Sequence, residues 1–210
     1  MNRTQGEIVR EYIPIDEKPI HGVTFDGKLV WFARNDELVA FDPETEKIVH
    51  RYAIASAGAG TAYDGEHVYQ LAREEILVID PKNGAIVRRL PAPSKGEDSG
   101  MAWSDGYLWI GQYRSKKVHK VDAKTGEVVK TLSSDRFVTG VSCTGGALWH
   151  GAVGDDQPAE LRRLASDGTV DESVTVDVAL ISGMERTPSG DFWCGGEKGR
   201  LRLVRKRARS

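Results

Sequence analysis

Short apolar runs, separated by polar turns, follow one another along the whole chain. The runs at 29–33, 38–41 and 76–79 are typical, because each is rich in aliphatic, β-branched or aromatic residues and is flanked by polar or turn-forming residues. Such runs favour β-strands, and no segment keeps its apolar residues at the spacing of an amphipathic helix. The pattern therefore predicts an all-β fold.

The apolar runs belong to a repeat with a period of about 40 residues. Its copies begin with a glycine, at Gly22, Gly60, Gly100, Gly140 and Gly183. A glycine-containing turn follows, and after it comes a run centred on Trp31, Tyr69, Trp109, Trp149 or Trp193. With two further apolar runs in most copies, each period predicts four short strands.

Radial repetition of four-stranded units is characteristic of a β-propeller. We therefore predict a single five-bladed propeller domain over residues 1–210, with blades at about 20–56, 57–94, 95–134, 135–177 and 178–206. The fifth copy stops after its third strand, whereas Gln5–Arg10 resembles a fourth strand such as Thr125–Lys130. We expect residues 5–13 to pair with the strand near 200–205 and to close the last blade, because an open edge leaves backbone groups unpaired.

The charge and the apolar content of the chain limit the classes of partner that we expect it to bind. It carries 29 Lys and Arg against 31 Asp and Glu, a net charge of −2, which gives no general attraction to nucleic acid or to anionic membranes. The N-terminal residues lack the apolar stretch of a secretory signal, and no apolar run reaches membrane-spanning length. We expect a cytoplasmic protein in which Cys143 and Cys194, both inside predicted strands, are reduced thiols.

One face of a propeller gathers the segments that lead into the first strand of each blade and the loops after the second. The residues directly before the repeat glycines are His21, Ala59, Ser99, Thr139 and Ser182. His21 alone among them titrates, and histidine suits general acid–base chemistry near neutral pH. A hydrogen-bonded structural histidine is the alternative. We expect Ser99 and Ser182 to contact a ligand at this face.

The loops after the second strands supply further polar candidates on the same face. Arg34, Gln112 and Tyr113 are candidate substrate-binding residues, and Glu197 is a candidate catalytic residue. Glu97 and Asp98 lie just upstream of the third repeat glycine, and Asp155 and Asp156 fall in the fourth such loop. Loops are polar whether or not they bind a ligand, so solvated side chains are the alternative.

Two residues interrupt the repeat in the interior. Glu185 stands where the other copies have Thr24, Ala62, Ala102 and Ser142, and His150 occupies a second-strand position. A buried carboxylate needs a partner, so we expect Glu185 to pair with Arg186, His150 or a ligand. Glu185 is a candidate catalytic residue and His150 a candidate substrate contact, with a structural ion pair as the alternative.

The first copy resembles the repeat of virginiamycin B lyases, the streptogramin-linearising propellers. The likeness rests on Pro19–Thr24, on the turn at Asp26-Gly27 and on Val30–Arg34. It implies that His21 acts as a base beside a magnesium ion held partly by glutamates. Arg34 and Gln112 stand at two of those glutamate positions and Glu197 lies one place beyond a third. The resemblance thus suggests a divalent metal such as magnesium as cofactor, but this chain offers no clear ligand set for it, and no metal ligands are assigned.

The predicted number of blades instead resembles plant-type glutaminyl cyclases, which are five-bladed propellers with a catalytic glutamate just before a repeat glycine. No glutamate occupies that position in this chain. The sequence therefore predicts an enzyme that processes a small molecule at the mouth of the central channel, lyase-like and with a histidine base. The alternatives are a glutaminyl-cyclotransferase-like enzyme and a non-catalytic propeller that binds a ligand, a peptide or a protein.

Overall fold

A computed structural model describes residues 1–154 and 157–208, and Asp155 and Asp156 lie outside the described residues. Every regular element in the described part of the chain is a β-strand, and no helix there could cross a membrane. The strands are β1 (Asn2–Tyr12), β2 (Val23–Phe25), β3 (Val30–Arg34), β4 (Glu37–Asp42), β5 (Lys47–Ala53), β6 (Thr61–Tyr63), β7 (Val68–Ala72), β8 (Glu75–Ile79), β9 (Ile86–Pro91), β10 (Asp98–Ser104), β11 (Tyr107–Gln112), β12 (Lys117–Asp122), β13 (Val128–Ser133), β14 (Phe137–Thr144), β15 (Ala147–Gly154), β16 (Gln157–Leu164), β17 (Val170–Val176), β18 (Met184–Arg186), β19 (Phe192–Gly195) and β20 (Leu201–Lys206).

The strands form four sheets. Three of them are four-stranded antiparallel meanders, in the orders β2-β3-β4-β5, β6-β7-β8-β9 and β10-β11-β12-β13. The fourth has eight strands in the order β14-β15-β16-β17-β1-β20-β19-β18. The predicted all-β class is confirmed, and β1 is the strand that joins the two halves of the large sheet.

The N-terminal strand completes the ladder of the C-terminal one, as predicted. Gly6 to Tyr12 run antiparallel to β20, with Gly6 opposite Lys206 and Tyr12 opposite Leu201. The sequence did not predict the second contact of this strand, since Asn2 to Gln5 pair in parallel with β17. β1 therefore satisfies backbone groups on both of its sides, which removes an open edge from each half of the sheet.

The first strands of the repeats surround a common axis in a closed ring. Contacts run from β2 to β6, β10, β14 and β18, and from β18 back to β2. A side chain at Gly22 would collide with the backbone of Ala59, and one at Gly183 would collide with the backbone of His21. The repeat glycines are thus required because neighbouring backbones approach too closely at the axis for any Cβ atom.

The Asp-Gly turn and the aromatic residue that follows it form one hydrogen-bonded unit. Asp26 Oδ1 accepts the backbone N–H groups of Lys28 and Leu29, and Asp26 Oδ2 accepts the indole N–H of Trp31 at 2.7 Å. Gly27 takes a φ of +100°, which favours glycine. Trp31 is 1% exposed, so the same carboxylate shapes the turn and satisfies the buried indole that packs between two sheets.

Candidate functional site

A cavity of 440 Å³ lies at the end of the axis where the chain enters the first strands. The residues directly before the five repeat glycines all line it: His21, Ala59, Ser99, Thr139 and Ser182. Gly58, Gly96, Glu97, Asp98, Tyr113, Arg114 and Leu180 complete the wall. The structure therefore brings four residues of the predicted site together, namely His21, Ser99, Tyr113 and Ser182.

The imidazole of His21 is half-buried at this mouth. Its Nε2 lies 3.1 Å from Asn35 Oδ1, and because an amide oxygen only accepts, Nε2 carries the proton and Nδ1 holds the lone pair. Burial lowers the pKa of His21 below its ordinary value, although the hydrogen bond to Asn35 acts in the opposite direction. The ring is therefore neutral at pH 7 and available as a proton acceptor.

Asp98 is the buried carboxyl group of the same cavity. It begins β10, is 8% exposed, and accepts hydrogen bonds from the backbone N–H of Ser94 at 3.1 Å and from Gln112 Nε2 at 3.4 Å. Burial raises the pKa of Asp98, and the two hydrogen bonds offset only part of that effect. Gln112, predicted to contact substrate, instead lies opposite Asp98 in the β10–β11 ladder and holds its carboxylate.

The other polar residues of the cavity range from the exposed Tyr113 to the buried Thr139. The ring of Tyr113 stacks on Phe137 at a centroid distance of 4.9 Å, which fixes an aromatic face beside the opening. Ser99 Oγ donates to the carbonyl of Val138 at 2.7 Å. Thr139 is 4% exposed, and its hydroxyl has no hydrogen-bond partner among residues 1–154 and 157–208.

Besides Gln112 and Glu185, three predicted site residues do not line this cavity. The side chain of Arg34 is buried and forms ion pairs with Asp16 and with Glu37, so it holds neighbouring segments together. Glu197 is exposed and is not among the lining residues. His150 is fully buried, with Nδ1 3.0 Å from the carbonyl of Gly151, and burial lowers its pKa to about 4. His150 therefore lies inside the sheet rather than at this mouth, and its role as a substrate contact stays a prediction.

Glu185 lies at the opposite end of the axis. Ser142 and Thr144 donate hydroxyl hydrogen bonds to its Oε1 at 2.8 and 3.2 Å, and Thr24 donates to its Oε2 at 3.1 Å. The prediction that Glu185 is hydrogen-bonded is confirmed. Hydroxyl groups of the adjacent first strands are its side-chain partners, the backbone of Arg186 contributes a further hydrogen bond, and a ligand as its partner stays a prediction. Burial raises the pKa of Glu185 to about 7.

The magnesium site implied by the lyase resemblance does not fit these residues. A guanidinium, that of Arg34, stands where a glutamate would hold the ion, and Gln112 is engaged with Asp98. Within the described residues, no group of three His, Cys, Asp or Glu side chains is arranged to hold a metal ion.

Sequence reasoning placed too little weight on Asp98. Its position two residues before Gly100 was visible in the chain, as was a Gln in the loop that returns to it. What the sequence could not show is that Asp98 is buried while its neighbour Glu97 is exposed. The strand register decides this difference, since β10 begins at Asp98 and aligns it with Gln112.

Comparison with known proteins identifies the repeat and the fold. A family model described as outer membrane protein assembly factor BamB matches residues 2–187. The glutaminyl cyclase of Myxococcus xanthus superposes with a TM-score of 0.83 at 17% identity, covering 100% of this chain and 99% of that one. No curated protein matches the sequence significantly.

Two further structures are similar at lower scores. A chain of the mitotic checkpoint complex gives a TM-score of 0.58 at 14% identity, covering 91% of this chain and 75% of that one. The WD40 β-propeller domain of Doa1 gives 0.58 at 14% identity, covering 88% and 63%. Identities this low establish a propeller-type fold and carry no residue roles, and none of these matches supports the lyase resemblance in particular.

Proposed function

The chain belongs to the family whose model is described as outer membrane protein assembly factor BamB, and on that premise we propose that it is a five-bladed propeller. We propose further that this propeller cyclises N-terminal glutamine in peptides. The five-blade interpretation takes residues 1–210 as one domain and divides the eight-stranded sheet into two blades at the parallel β1–β17 pairing. The ring of five glycines around the axis supports this count. The likeness to a glutaminyl cyclase favours cyclisation over the lyase-like alternative.

One observation carries the proposed chemistry: His21 and Asp98 line the same cavity and their pKa values are shifted in opposite directions. A neutral imidazole can accept a proton, and a carboxyl group of raised pKa can hold one. Each shift favours the uncharged form of its group, so the cavity holds an imidazole as proton acceptor beside a carboxyl group that keeps its proton more readily than an exposed one.

In the proposed reaction, the α-amine nitrogen of the substrate attacks its own side-chain amide carbon. A C–N bond forms in a five-membered lactam, the original amide C–N bond breaks, and ammonia leaves. Nδ1 of His21 takes the proton that the attacking nitrogen loses, and the carboxyl group of Asp98 gives a proton to the departing nitrogen. Solvent returns the proton from His21 to Asp98, so the cycle consumes no other reactant.

The rim residues suit a peptide that enters by its N-terminus. The exposed carboxylate of Glu97 attracts the α-ammonium group, which gives one proton to solvent before its nitrogen attacks. Arg114 lies beside the opening and can pair with the following backbone carbonyl or an acidic side chain. The stacked face of Tyr113 offers an apolar surface for the second residue of the peptide.

Ammonia release from a peptide that begins with glutamine tests the proposal. Asp98→Asn keeps the side-chain volume and removes the proton donor, so we expect turnover to fall by about two to four orders of magnitude. Glu66→Gln, a change at an exposed carboxylate far from the lining residues, is the matched control and should leave turnover unchanged. Wild-type protein that releases no ammonia would overturn the proposal.

The family match favours a second candidate, a non-catalytic peptide-binding propeller, because the family is described as an assembly factor. The same mouth would then hold a chain terminus without turnover. Saturable binding of the glutamine peptide, with no ammonia and with equal affinity for a peptide that begins with alanine, would favour this candidate over the enzyme.

A further inference from the structure

A second cavity, of 460 Å³, lies at the opposite end of the axis from His21. Phe25, Tyr63 and Trp103 line it from equivalent positions of three consecutive first strands. All three rings are half-buried, so each keeps part of its surface toward the opening. Cys143 stands at the same position of the fourth copy, and Glu185 completes the wall.

The carboxylate of Glu185 is held in place but is not neutralised. Oε1 accepts hydroxyl hydrogen bonds from Ser142 and Thr144, Oε2 accepts the hydroxyl of Thr24, and the backbone N–H of Arg186 also stabilises the carboxylate. Within residues 1–154 and 157–208, no Lys, Arg or His side chain forms an ion pair with Glu185. The partners of this carboxylate are therefore neutral donors, and its negative charge has no counter-ion among the described residues.

The remaining charged groups around the cavity do not supply that positive charge. Asp105 lines the opening and is a second anion. Arg186 follows Glu185 on the strand, where successive side chains point to opposite faces, and its guanidinium lies toward Gly190. The ammonium group of Lys120 sits over the ring of Tyr107, 3.8 Å from its centroid.

We propose that this second cavity binds an organic ammonium ion between the rings of Phe25, Tyr63 and Trp103, with the carboxylate of Glu185 as its counter-ion. Aromatic faces attract cations through the ring quadrupole, and a desolvated carboxylate adds a direct charge interaction. This inference goes beyond the proposed cyclisation and does not depend on it, because none of these residues lines the cavity of His21.

Other ligand classes fit the cavity less well. Glu185 and Asp105 disfavour an anion. A metal ion needs several oxygen, nitrogen or sulfur ligands, whereas the described residues give no cluster of three such groups. A purely apolar ligand would leave the carboxylate desolvated without any gain, which costs free energy.

Calorimetric titration with choline and with n-butylamine, at pH 8, tests the proposal. The neutral isostere of choline, 3,3-dimethylbutan-1-ol, has the same shape without the charge, so we expect saturable binding of an ammonium probe and none of the alcohol. Trp103→Leu should weaken binding about tenfold through loss of a cation–π face. Glu185→Gln should weaken it by at least as much.

The pH dependence provides a readout that a structural role of Glu185 would not alter. Because the pKa of Glu185 is about 7, affinity should fall about tenfold per pH unit below that value in the wild type. The ammonium affinity of Glu185→Gln should not change with pH over the same range. Asp105→Asn is the control, and its affinity should depend on pH as that of the wild type does. Glu127→Gln, at an exposed surface position, should bind as the wild type does. Failure of both ammonium probes to bind, or equal binding of the neutral alcohol, would overturn the proposal.

Discussion

The two ends of the axis are built from the same strands and have different chemistry. The end that holds His21 and Asp98 is lined by residues before the repeat glycines and by loops, most of them polar. The other end is lined by residues near the ends of the first strands, where the rings of Phe25, Tyr63 and Trp103 share the cavity with the carboxylates of Glu185 and Asp105. One end therefore suits proton transfer on a polar substrate, and the other suits recognition of a cation.

This difference shows that candidate functional residues of this repeat protein are those that differ between repeats at the axis. Equivalent positions of the repeats meet at the axis because the first strands meet there. A residue that differs from its counterparts in the other repeats therefore lies close to those counterparts. His21 and Glu185 are such residues, three residues apart in the repeat and at opposite ends of the first strands. The sheet determines which end each of them faces.

The largest effect should come from removing the strand on which both ends depend. Deletion of residues 1–13 removes β1, which pairs with β17 and β20, and exposes two edges. We expect a loss of several kcal/mol in the free energy of unfolding, measured by thermal or urea denaturation. Both cavities should lose their ligands together.

A permuted chain serves as the control for that deletion. Gly6 lies opposite Lys206, so residues 5–13 attached after a tight turn beyond Lys206 can form an ordinary hairpin with β20. This chain should recover most of the lost stability. A deletion variant as stable as the full chain would show that the ring does not need β1.

The next effect concerns the polar end alone. His21→Ala should lower turnover of a glutamine peptide by about two to four orders of magnitude, the usual contribution of a positioned base. Stability should change little, because among the described residues the ring makes a single side-chain hydrogen bond, to Asn35. Ammonium binding at the other end should be unaffected.

The opposite result for His21→Ala would show that His21 has a structural role. Loss of stability with unchanged turnover per folded molecule would contradict the function of His21 as a base. His21→Gln, which can still donate to Asn35, separates the two roles, because it should restore any lost stability without restoring turnover.

The smallest of these effects is a pH dependence of stability from the other end. The folded pKa of Glu185 is raised to about 7, so the native state keeps a proton that the unfolded chain releases above its ordinary value of 4.5. The stability that this proton contributes is present at pH 4.5 and is lost as the pH rises to 7, by about 3 kcal/mol. Relative to the wild type, Glu185→Gln should gain that amount between pH 5 and pH 8 in urea denaturation.

His150 provides a contrast in the same experiment. Its folded pKa is lowered to about 4, so it destabilises the native state as the pH falls below its ordinary value of 6.5. This effect has the opposite sign and occurs in both proteins, so it cancels in the comparison with Glu185→Gln. A difference that does not change with pH would show that Glu185 is not protonated in the native state.

Most of the strand pattern could be predicted from the chain. The glycine repeat gave the first strands, the Asp-Gly turns gave the hairpins, and the likeness of Gln5–Arg10 to Thr125–Lys130 predicted that β1 pairs with β20. The parallel pairing of Asn2 to Gln5 with β17 was missed, because it joins residues about 170 positions apart without any turn or motif to mark the contact.

The candidate site was predictable only in part. His21, Ser99 and Ser182 share a position in the repeat, so their convergence followed from symmetry. Arg34 and Gln112 end equivalent second strands, yet Arg34 forms ion pairs with Asp16 and Glu37, whereas Gln112 holds Asp98. Partners of long polar side chains depend on loop geometry that varies between copies, and a repeat pattern does not specify it.

The sequence by itself determined the strands, their order and the glycines at the axis, because strand period, turn chemistry and close backbone approach are local requirements. The tertiary structure alone decided which polar groups are buried and what they meet. The carboxyl group of Asp98 is buried, whereas that of Glu97 is exposed to solvent. Glu185 accepts hydrogen bonds from three hydroxyl groups of two other repeats and forms no ion pair in the described part of the chain. The pKa of a group depends on its solvation and on neighbours distant in sequence, and these are fixed only when the ring of strands closes.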